Sequence, residues 1–383
     1  MIYLDANASS RLRPNVSEYL RSAPQLYNAS SVHSEGRIAR AALREARQNI
    51  LNLAKAPNAE LVFTSSGTEA CNLMIFGFLG EVSAGTKIVS SVIEHPAIKE
   101  TLKSLKTADI IEAKPNQLGR IEINNICSLV DKDTALVNLM FINNETGTIQ
   151  ALNEITKSLR QSAYQGLIIS DACQAFGKLN FDLSELFESG LDAISISGHK
   201  IGAPAGIGAL IYNPNSSYCR RFWPQIFGGP QEKGFRAGSE NLLGAICFGL
   251  AAKNLIETID QENTQKLELA DYFFDLLNSK IKGITRYGDT ENWVGNTLLL
   301  GFESCLGGDL VAALDIEGVA ISTGAACASG KQGVSDTVKA IEPDLQKQKQ
   351  IIRISLDWDS NRRELEIAAD ILEMCVNRMR NRY

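Results

Sequence analysis

Short apolar runs alternate with segments of helical period through the middle of the chain, from about residue 60 to about residue 212. The runs are rich in valine, isoleucine and leucine, and they read ELVFTSS, TKIVSSV, TALVNLMFI, LIIS, AISIS and GIGALIY. Strands that are apolar on both faces and alternate with helices are typical of a buried, mostly parallel sheet. The pattern therefore predicts an α/β fold built in layers around such a sheet.

Two segments of helical period follow, LLGAICFGLAAKNLIETI and QKLELADYFFDLLNSKI. They lead into a second region with the strand-like runs GNTLLLGF and QIIRISL and a final helix that begins near Ser360. A chain of 383 residues, 44% of them apolar, is longer than a typical single domain. We therefore expect two domains.

The chain is acidic, with a formal charge of −6 and an isoelectric point near 5.4. The sequence has no dense run of lysine or arginine, so we expect neither nucleic acid nor a membrane surface as a partner. The segment MIYLDANASS lacks the basic and apolar regions of a secretory signal, and no stretch approaches the length needed to cross a bilayer. We expect a cytoplasmic protein.

Eight cysteines are scattered along the sequence without a Cys-x-x-Cys pair or a Cys/His cluster at zinc spacing. We expect no metal site, and we expect most of these thiols to be reduced and structural. Cys327 differs because it lies in GVAISTGAACASGK, a run of small residues. Small residues leave the backbone free to change conformation, which predicts a loop that moves its thiol from one place to another.

Polar clusters follow several of the predicted strands, namely SGTEA, EHPA, NNETG, DACQ and SGHK. Ligands of open α/β sheets bind at the carboxyl ends of the strands. We therefore expect these clusters to meet in one cleft.

Three of the clusters suggest pyridoxal phosphate as a cofactor. Lys200 follows the strand AISIS, where an amine can be held with the lowered pKa that imine formation needs. Asp171 closes the strand LIIS and could keep the pyridine nitrogen protonated. Gly67 and Thr68 lie at a strand-to-helix turn that favours an anion, and Ser197 and His199 flank the lysine and could donate to the same phosphate.

The motifs together resemble cysteine desulfurases of the nitrogen-fixation and iron–sulfur-cluster type, which belong to the class V aminotransferase family of fold-type I pyridoxal phosphate enzymes. The resemblance covers nearly the whole chain, from YLDANAS to IRISL. It rests on motifs in matching order, which are FTSSGTEA, EHPAI, FINNETGTIQ, DACQAFGK, SGHK, GGPQEKGFRAGSEN and ISTGAACASGK. It implies a large domain over residues 12–253 with a mostly parallel seven-stranded sheet, and a smaller α+β domain from residues 1–11 and 254–383.

The resemblance also implies a role for each site residue. Lys200 would hold the cofactor and act as the base at the substrate α-carbon, and His95 would stack on the ring and help in proton transfer. Asp171 would contact the ring nitrogen, and Gln174 would contact the ring oxygen. The phosphate would be held by Gly67, Thr68, Ser197, His199 and, from the other subunit of a homodimer, Ser239. Asn143 and Arg353 would bind the substrate carboxylate, for which a forked guanidinium is well suited.

The implied reaction converts L-cysteine to L-alanine. The thiolate of Cys327 would take the sulfur as a persulfide and pass it to an acceptor protein, such as an iron–sulfur scaffold or a carrier for tRNA thiolation. A class V aminotransferase or a selenocysteine lyase would share Lys200, Asp171 and His95, and a sulfur-relay or scaffold protein would keep the fold without the chemistry. Asp357, which stands where the family more often has glycine, leaves the loop after Arg353 open to a different shape.

Overall fold

A seven-stranded sheet forms the centre of the computed structural model, which describes residues 1–22, 25–80, 82–218, 222–323 and 333–381. The strand order is β2-β8-β7-β6-β5-β3-β4, and β8 alone among them runs antiparallel to its two neighbours. The bounds are β2 (Glu60–Thr64), β3 (Lys87–Ser91), β4 (Asp109–Ala113), β5 (Thr134–Asn138), β6 (Leu167–Asp171), β7 (Ala193–Ser197) and β8 (Gly208–Tyr212). The predicted α/β class and the mostly parallel sheet are confirmed.

Helices cover both faces of this sheet and give it two separate apolar layers. Their bounds are α1 (Pro14–Arg21), α2 (Ser34–Leu53), α3 (Gly67–Leu79), α4 (Pro96–Ser104), α5 (Ile123–Leu129), α6 (Leu152–Gln161) and α7 (Leu183–Ser189). Polar side chains begin several of them: Ser66, His95 and Asp182 each accept a hydrogen bond from a backbone N–H in the first turn. Two of these capping residues lie in the polar clusters that follow strands.

A second core lies beside the large sheet. It is built on the antiparallel order β12-β10-β9 and on a short parallel pair between β1 and β11. The elements are β1 (Ile2–Tyr3), β9 (Ile284–Tyr287), β10 (Thr297–Phe302), β11 (Val319–Ala320), β12 (Ile351–Ser355), α9 (Gly307–Ile316), α10 (Asp336–Ile341), α11 (Leu345–Gln348) and α12 (Arg362–Arg380). The last helix starts two residues after Ser360, with Asn361 as its cap.

One continuous helix, α8 (Leu242–Lys280), joins the two cores. Its first half packs in the core of the large sheet, and its second half packs in the smaller core. The predicted boundary between residues 253 and 254 therefore falls inside an unbroken helix, and the division into domains stays a prediction.

The expectation that no stretch is long enough to cross a bilayer is wrong, because within the described residues α8 meets that measure by length and composition. In this fold, 61% of its apolar window is buried inside the protein. The core helix of a globular protein gives the same signal.

Close packing of α8 on α2 leads to a prediction. A Cβ atom at Gly249 would lie 2.4 Å from the Cα atom of Ala46, so Gly249→Ala forces the two helices apart. We expect a loss of about 1–3 kcal/mol in the free energy of unfolding, measured by urea denaturation. The control is Gly308→Ala in α9, where a Cβ would meet no described atom within 4 Å. Equal stability of the two variants would contradict the predicted packing.

Candidate active site

A cavity of about 420 Å³ lies at the carboxyl ends of the central strands. The polar clusters meet there, as predicted from the sequence. The predicted site residues that line the cavity are Gly67, Thr68, His95, Asp171, Gln174, Ser197, His199, Lys200 and Arg353.

An anion-binding corner is formed where β2 leads into α3. The helix begins at Gly67, and its first backbone N–H groups and dipole favour negative charge. A Cβ at Gly67 would lie 2.7 Å from Cys173 Sγ and 3.2 Å from Ser197 Cβ, so only glycine fits. Ser197 Oγ is buried at the same corner and has no hydrogen-bond partner among the described residues. A buried hydroxyl of this kind is suited to a ligand oxygen.

His199 completes this corner as a neutral group. Burial lowers the pKa of His199 to about 4, and the nearby charges of Lys200 and Lys178 act in the same direction. The imidazole therefore offers a hydrogen bond at neutral pH without carrying a positive charge.

The amine of Lys200 is held by the N-terminal segment of the chain. Lys200 ends a short turn after β7, and its Nζ donates to the backbone carbonyl oxygens of Asn7 at 2.6 Å and Ala8 at 2.9 Å. Asn7 is itself fixed, because its Nδ2 donates to Asn144 O and to Thr297 Oγ1. Sequence reasoning missed Asn7, although it lies in the YLDANAS motif.

Asp171 and Gln174 follow β6 on one side of the cavity. Asp171 is 6% exposed, and its Oδ1 accepts from Cys173 N at 2.9 Å and from Ser195 Oγ at 3.2 Å. Gln174 Nε2 donates to Asn7 O at 3.0 Å, and the amine of Lys178 bonds Gln174 Oε1. Both side chains are thus oriented before any ligand binds.

His95 and Arg353 approach the cavity from two other elements. His95 caps α4, and because its Nδ1 accepts from Ala97 N, the ring hydrogen lies on Nε2. Arg353 is 2% exposed; its Nη2 pairs with Asp5 Oδ1 at 2.7 Å, and its Nη1 donates to Asn144 O at 3.1 Å. Its Nε has no partner within the part of the chain that the structure describes.

The prediction for Asn143 is not supported by its position. The side chain is fully buried, its Oδ1 accepts from the backbone N–H groups of Glu145 and Thr146, and its Nδ2 donates to Thr337 Oγ1. These bonds hold the NNETG turn, so the amide is committed to structure. The neighbouring Asn144 lines the cavity in its place.

Two other predicted residues, Ser239 and Cys327, are not among the described residues that line the cavity. Ser239 is exposed on the segment before α8, outside the lining of its own chain's cavity as far as the described residues show. Cys327 lies outside the described residues. The described chain on either side of it is at the site: Ser322 exchanges both backbone hydrogen bonds with Arg353, and Ser335 and Asp336 line the cavity.

These groups fit pyridoxal phosphate. The anion corner suits its phosphate, the carboxylate of Asp171 suits a protonated ring nitrogen, and the amine of Lys200 suits its aldehyde. The unpartnered Ser197 hydroxyl is the direct structural sign of a missing acceptor or donor at this corner.

Comparisons with known proteins agree with this site. The profile of the family described as aminotransferase class-V matches residues 2–367. A protein named cysteine desulfurase IscS from Dictyoglomus turgidum is 33% identical over 384 residues, which cover 99% of this chain and 95% of that protein.

Solved structures are similar over nearly their whole length. A structure titled NifS-like protein has a TM-score of 0.88 and 26% identity, and the match covers 98% of this chain and 99% of the other. A structure titled SspA in complex with cysteine has a TM-score of 0.78 and 28% identity, with coverage of 93% and 99%.

The anion corner gives a prediction for cofactor affinity. Ser197→Ala removes a buried hydroxyl that can bond a charged phosphate oxygen, and such a bond is worth about 1.5–3 kcal/mol. We expect the affinity for pyridoxal phosphate to fall about tenfold to a hundredfold, measured by titrating the apoprotein. The control is Ser170→Ala, because Ser170 Oγ is equally buried and unpartnered among the described residues but lies away from the cavity lining. An equal loss in both variants would rule out the specific contact.

Proposed function

The chain belongs to the class V aminotransferase family, and from that premise we propose that it is a pyridoxal phosphate-dependent cysteine desulfurase. The single observation that carries the proposal is one cavity in which the Lys200 amine, the Asp171 carboxylate and the unpartnered Arg353 Nε meet, with both flanks of the Cys327 segment at its rim. The relatives named cysteine desulfurase and the cysteine-bound SspA structure support cysteine as the substrate.

The cofactor would be held by Lys200, Asp171, Gln174 and His95, with its phosphate at the α3 corner. When bound, it supplies an electron sink that weakens the C–S bond of cysteine. The protein's part is to place the substrate and to move protons. In this proposal Lys200 takes the proton from the substrate α-carbon, and His95, which also lines the cavity, takes part in proton transfer.

Arg353 is the residue that we assign to the substrate carboxylate. Its guanidinium is oriented by Asp5 and by the Asn144 carbonyl, and the Nε hydrogen is left for a ligand. A fixed guanidinium binds a carboxylate with less loss of side-chain entropy than a free one does. The position of β12 thus selects an amino acid with its carboxylate toward the smaller core.

Cys327 is the nucleophile in this proposal. It is four residues beyond Thr323, so an extended chain limits the separation of the two Cα atoms to about 14 Å. The thiolate attacks the sulfur of cysteine; the S–S bond forms and the C–S bond breaks. The electron pair of the C–S bond goes to the carbon, which takes up the proton given up by the substrate thiol and leaves as alanine. The products are alanine and a persulfide on Cys327, and an acceptor protein then takes the outer sulfur.

Two other thiols at the cavity are poor candidates for this step. Cys71 and Cys173 line the cavity, but burial and the charge of Asp171 raise the pKa of both thiols well above the usual range. A thiol that stays protonated is a weak nucleophile. Within the described residues, the cavity therefore offers no reactive thiol of its own.

We include a homodimer in the proposal. Large apolar side chains are exposed near the Ser239 segment, with Trp223 at 56% and Phe227 at 72% exposure. Exposed apolar surface of this kind is typical of a protein interface. Ser239 is also exposed, and in a symmetric pair it would reach the phosphate corner of the other subunit.

Removal of the nucleophile gives the central prediction. We expect Cys327→Ala to bind pyridoxal phosphate and cysteine but to lose alanine formation from cysteine by at least about a hundredfold. Alanine is measured in the presence of a thiol reductant. Cys127→Ala, which removes a half-buried thiol away from the described cavity lining, should keep its activity. Wild-type rates in Cys327→Ala would refute the desulfurase mechanism.

Mixed subunits test the shared site. Lys200→Ala lacks the amine, and Ser239→Asp places a negative charge where the phosphate would bind, so each variant alone should be inactive. If Ser239 acts across the dimer, a refolded equal mixture should recover about a quarter of wild-type activity, because half of the dimers carry one intact site. The control is the homodimer of the Ser239→Asp, Lys200→Ala double variant, which has no intact site in either arrangement. If both variants are inactive alone and the mixture shows no recovery, Ser239 acts in its own subunit's site; an active Ser239→Asp variant would place Ser239 outside any site.

A further inference from the structure

Glu94 is a buried carboxyl group at the cavity that the reaction described above does not use. It follows β3, directly before His95, and is 5% exposed. Its Oε1 accepts from Ser91 Oγ at 2.7 Å and from Met140 N at 2.8 Å. Its Oε2 is buried and has no hydrogen-bond partner in the described part of the chain.

A second unpartnered acceptor lies beside it. Asn138, the last residue of β5, is fully buried and lies two residues before Met140, whose backbone N–H bonds Glu94 Oε1. Its Nδ2 donates to Ser90 Oγ at 3.3 Å, which leaves its Oδ1 without a donor among the described residues. Two buried acceptors without donors are costly. One proton on Glu94 Oε2 satisfies both atoms.

We propose that Glu94 is a protonated positioning residue, whose acid form donates from Oε2 to Asn138 Oδ1 and so joins the ends of β3 and β5 behind His95. The acid form holds both of its oxygens in hydrogen bonds across the two strand ends. Loss of the proton would leave a buried charge facing an amide oxygen, which loosens the support of His95 and Met140 at the cavity wall. The catalytic consequence rests on the proposed function, whereas the protonation itself does not.

The surroundings favour the acid. Burial raises the pKa of Glu94 to about 7, and the charge of Asp171 on β6 adds to this. The hydrogen bonds from Ser91 and Met140 lower the pKa, and so does the Asn138 amide where it acts as a donor. The other titratable groups on the elements around it are Cys71 on α3, which is itself a thiol of raised pKa, and His95 and Lys99 at α4. Lys99 pairs with Asp336.

Infrared spectroscopy on the holoenzyme tests the protonation directly. We expect a carbonyl band of a protonated carboxyl group that disappears as pH rises through about 7 and that is absent in Glu94→Gln. Asn138→Ala decides the direction of the bond. If Glu94 donates to Asn138, this variant lowers the pH at which the band disappears; if the amide donates to an ionised Glu94, it raises that pH. The second result, or no band in the wild type, would overturn the proposal.

Stability gives an independent measurement. The folded-state pKa of Glu94 lies above its unfolded value of 4.5, so the folded protein binds more protons between these values. The folding constant of the wild type relative to Glu94→Gln should fall about tenfold to a hundredfold as pH rises across that window, and then stay constant. Parallel curves would contradict a titrating Glu94.

For activity, Glu94→Ala should lower kcat more than KM, and Glu94→Gln should rescue most of that loss and remove the pH dependence. If the infrared band and the stability curve are present but kcat is unchanged, Glu94 does not position His95. The desulfurase proposal itself is tested separately by Cys327→Ala.

Discussion

The amine of Lys200 is held by backbone carbonyl oxygens of the N-terminal segment, 192 and 193 positions earlier in the chain. Asn7 and Ala8 each accept a hydrogen bond from its Nζ, and Asn7 in turn bonds Asn144, Thr297 and Ser355. One asparagine therefore connects the amine to the NNETG turn and to two strands of the smaller core. The geometry of the site depends on both cores being docked, because neither core alone supplies all of these partners.

The polar atoms left without partners are also informative. Within the described residues, Ser197 Oγ, Arg353 Nε and Glu94 Oε2 are buried and unpartnered at the cavity. The first two belong to the side chains that we propose for the cofactor phosphate and the substrate carboxylate. The third is adjacent to another unpartnered acceptor, Asn138 Oδ1, so a proton explains it better than a ligand does. A buried polar atom without a hydrogen bond is costly in each case. Two of these atoms indicate a ligand, and the third indicates a proton.

The departure at Asp357 has a structural consequence. Its carboxylate accepts from Ser10 Oγ and from Arg11 N, both at 2.6 Å, and it thereby ties the N-terminal segment to the loop after β12. A glycine there could make neither bond. Ala8 therefore lies between two anchored points, Asn7 on one side and Ser10 and Arg11 on the other. This stabilises the carbonyl oxygens that hold Lys200.

The sequence by itself determined the sheet and most of the cavity wall, since apolar runs specify buried strands and the polar residues that end them must meet at one edge. It also supplied Lys200, Asp171 and the α3 corner, because these are local features of strand ends. Only the tertiary structure showed that the Asn143 amide is committed to its own turn and to Thr337, and that the Asn144 carbonyl oxygen bonds Arg353, since these partners are distant in the chain. It alone revealed Asn7 and the Glu94–Asn138 pair, because their roles come from contacts between residues far apart in the chain, for which local pattern carries no signal.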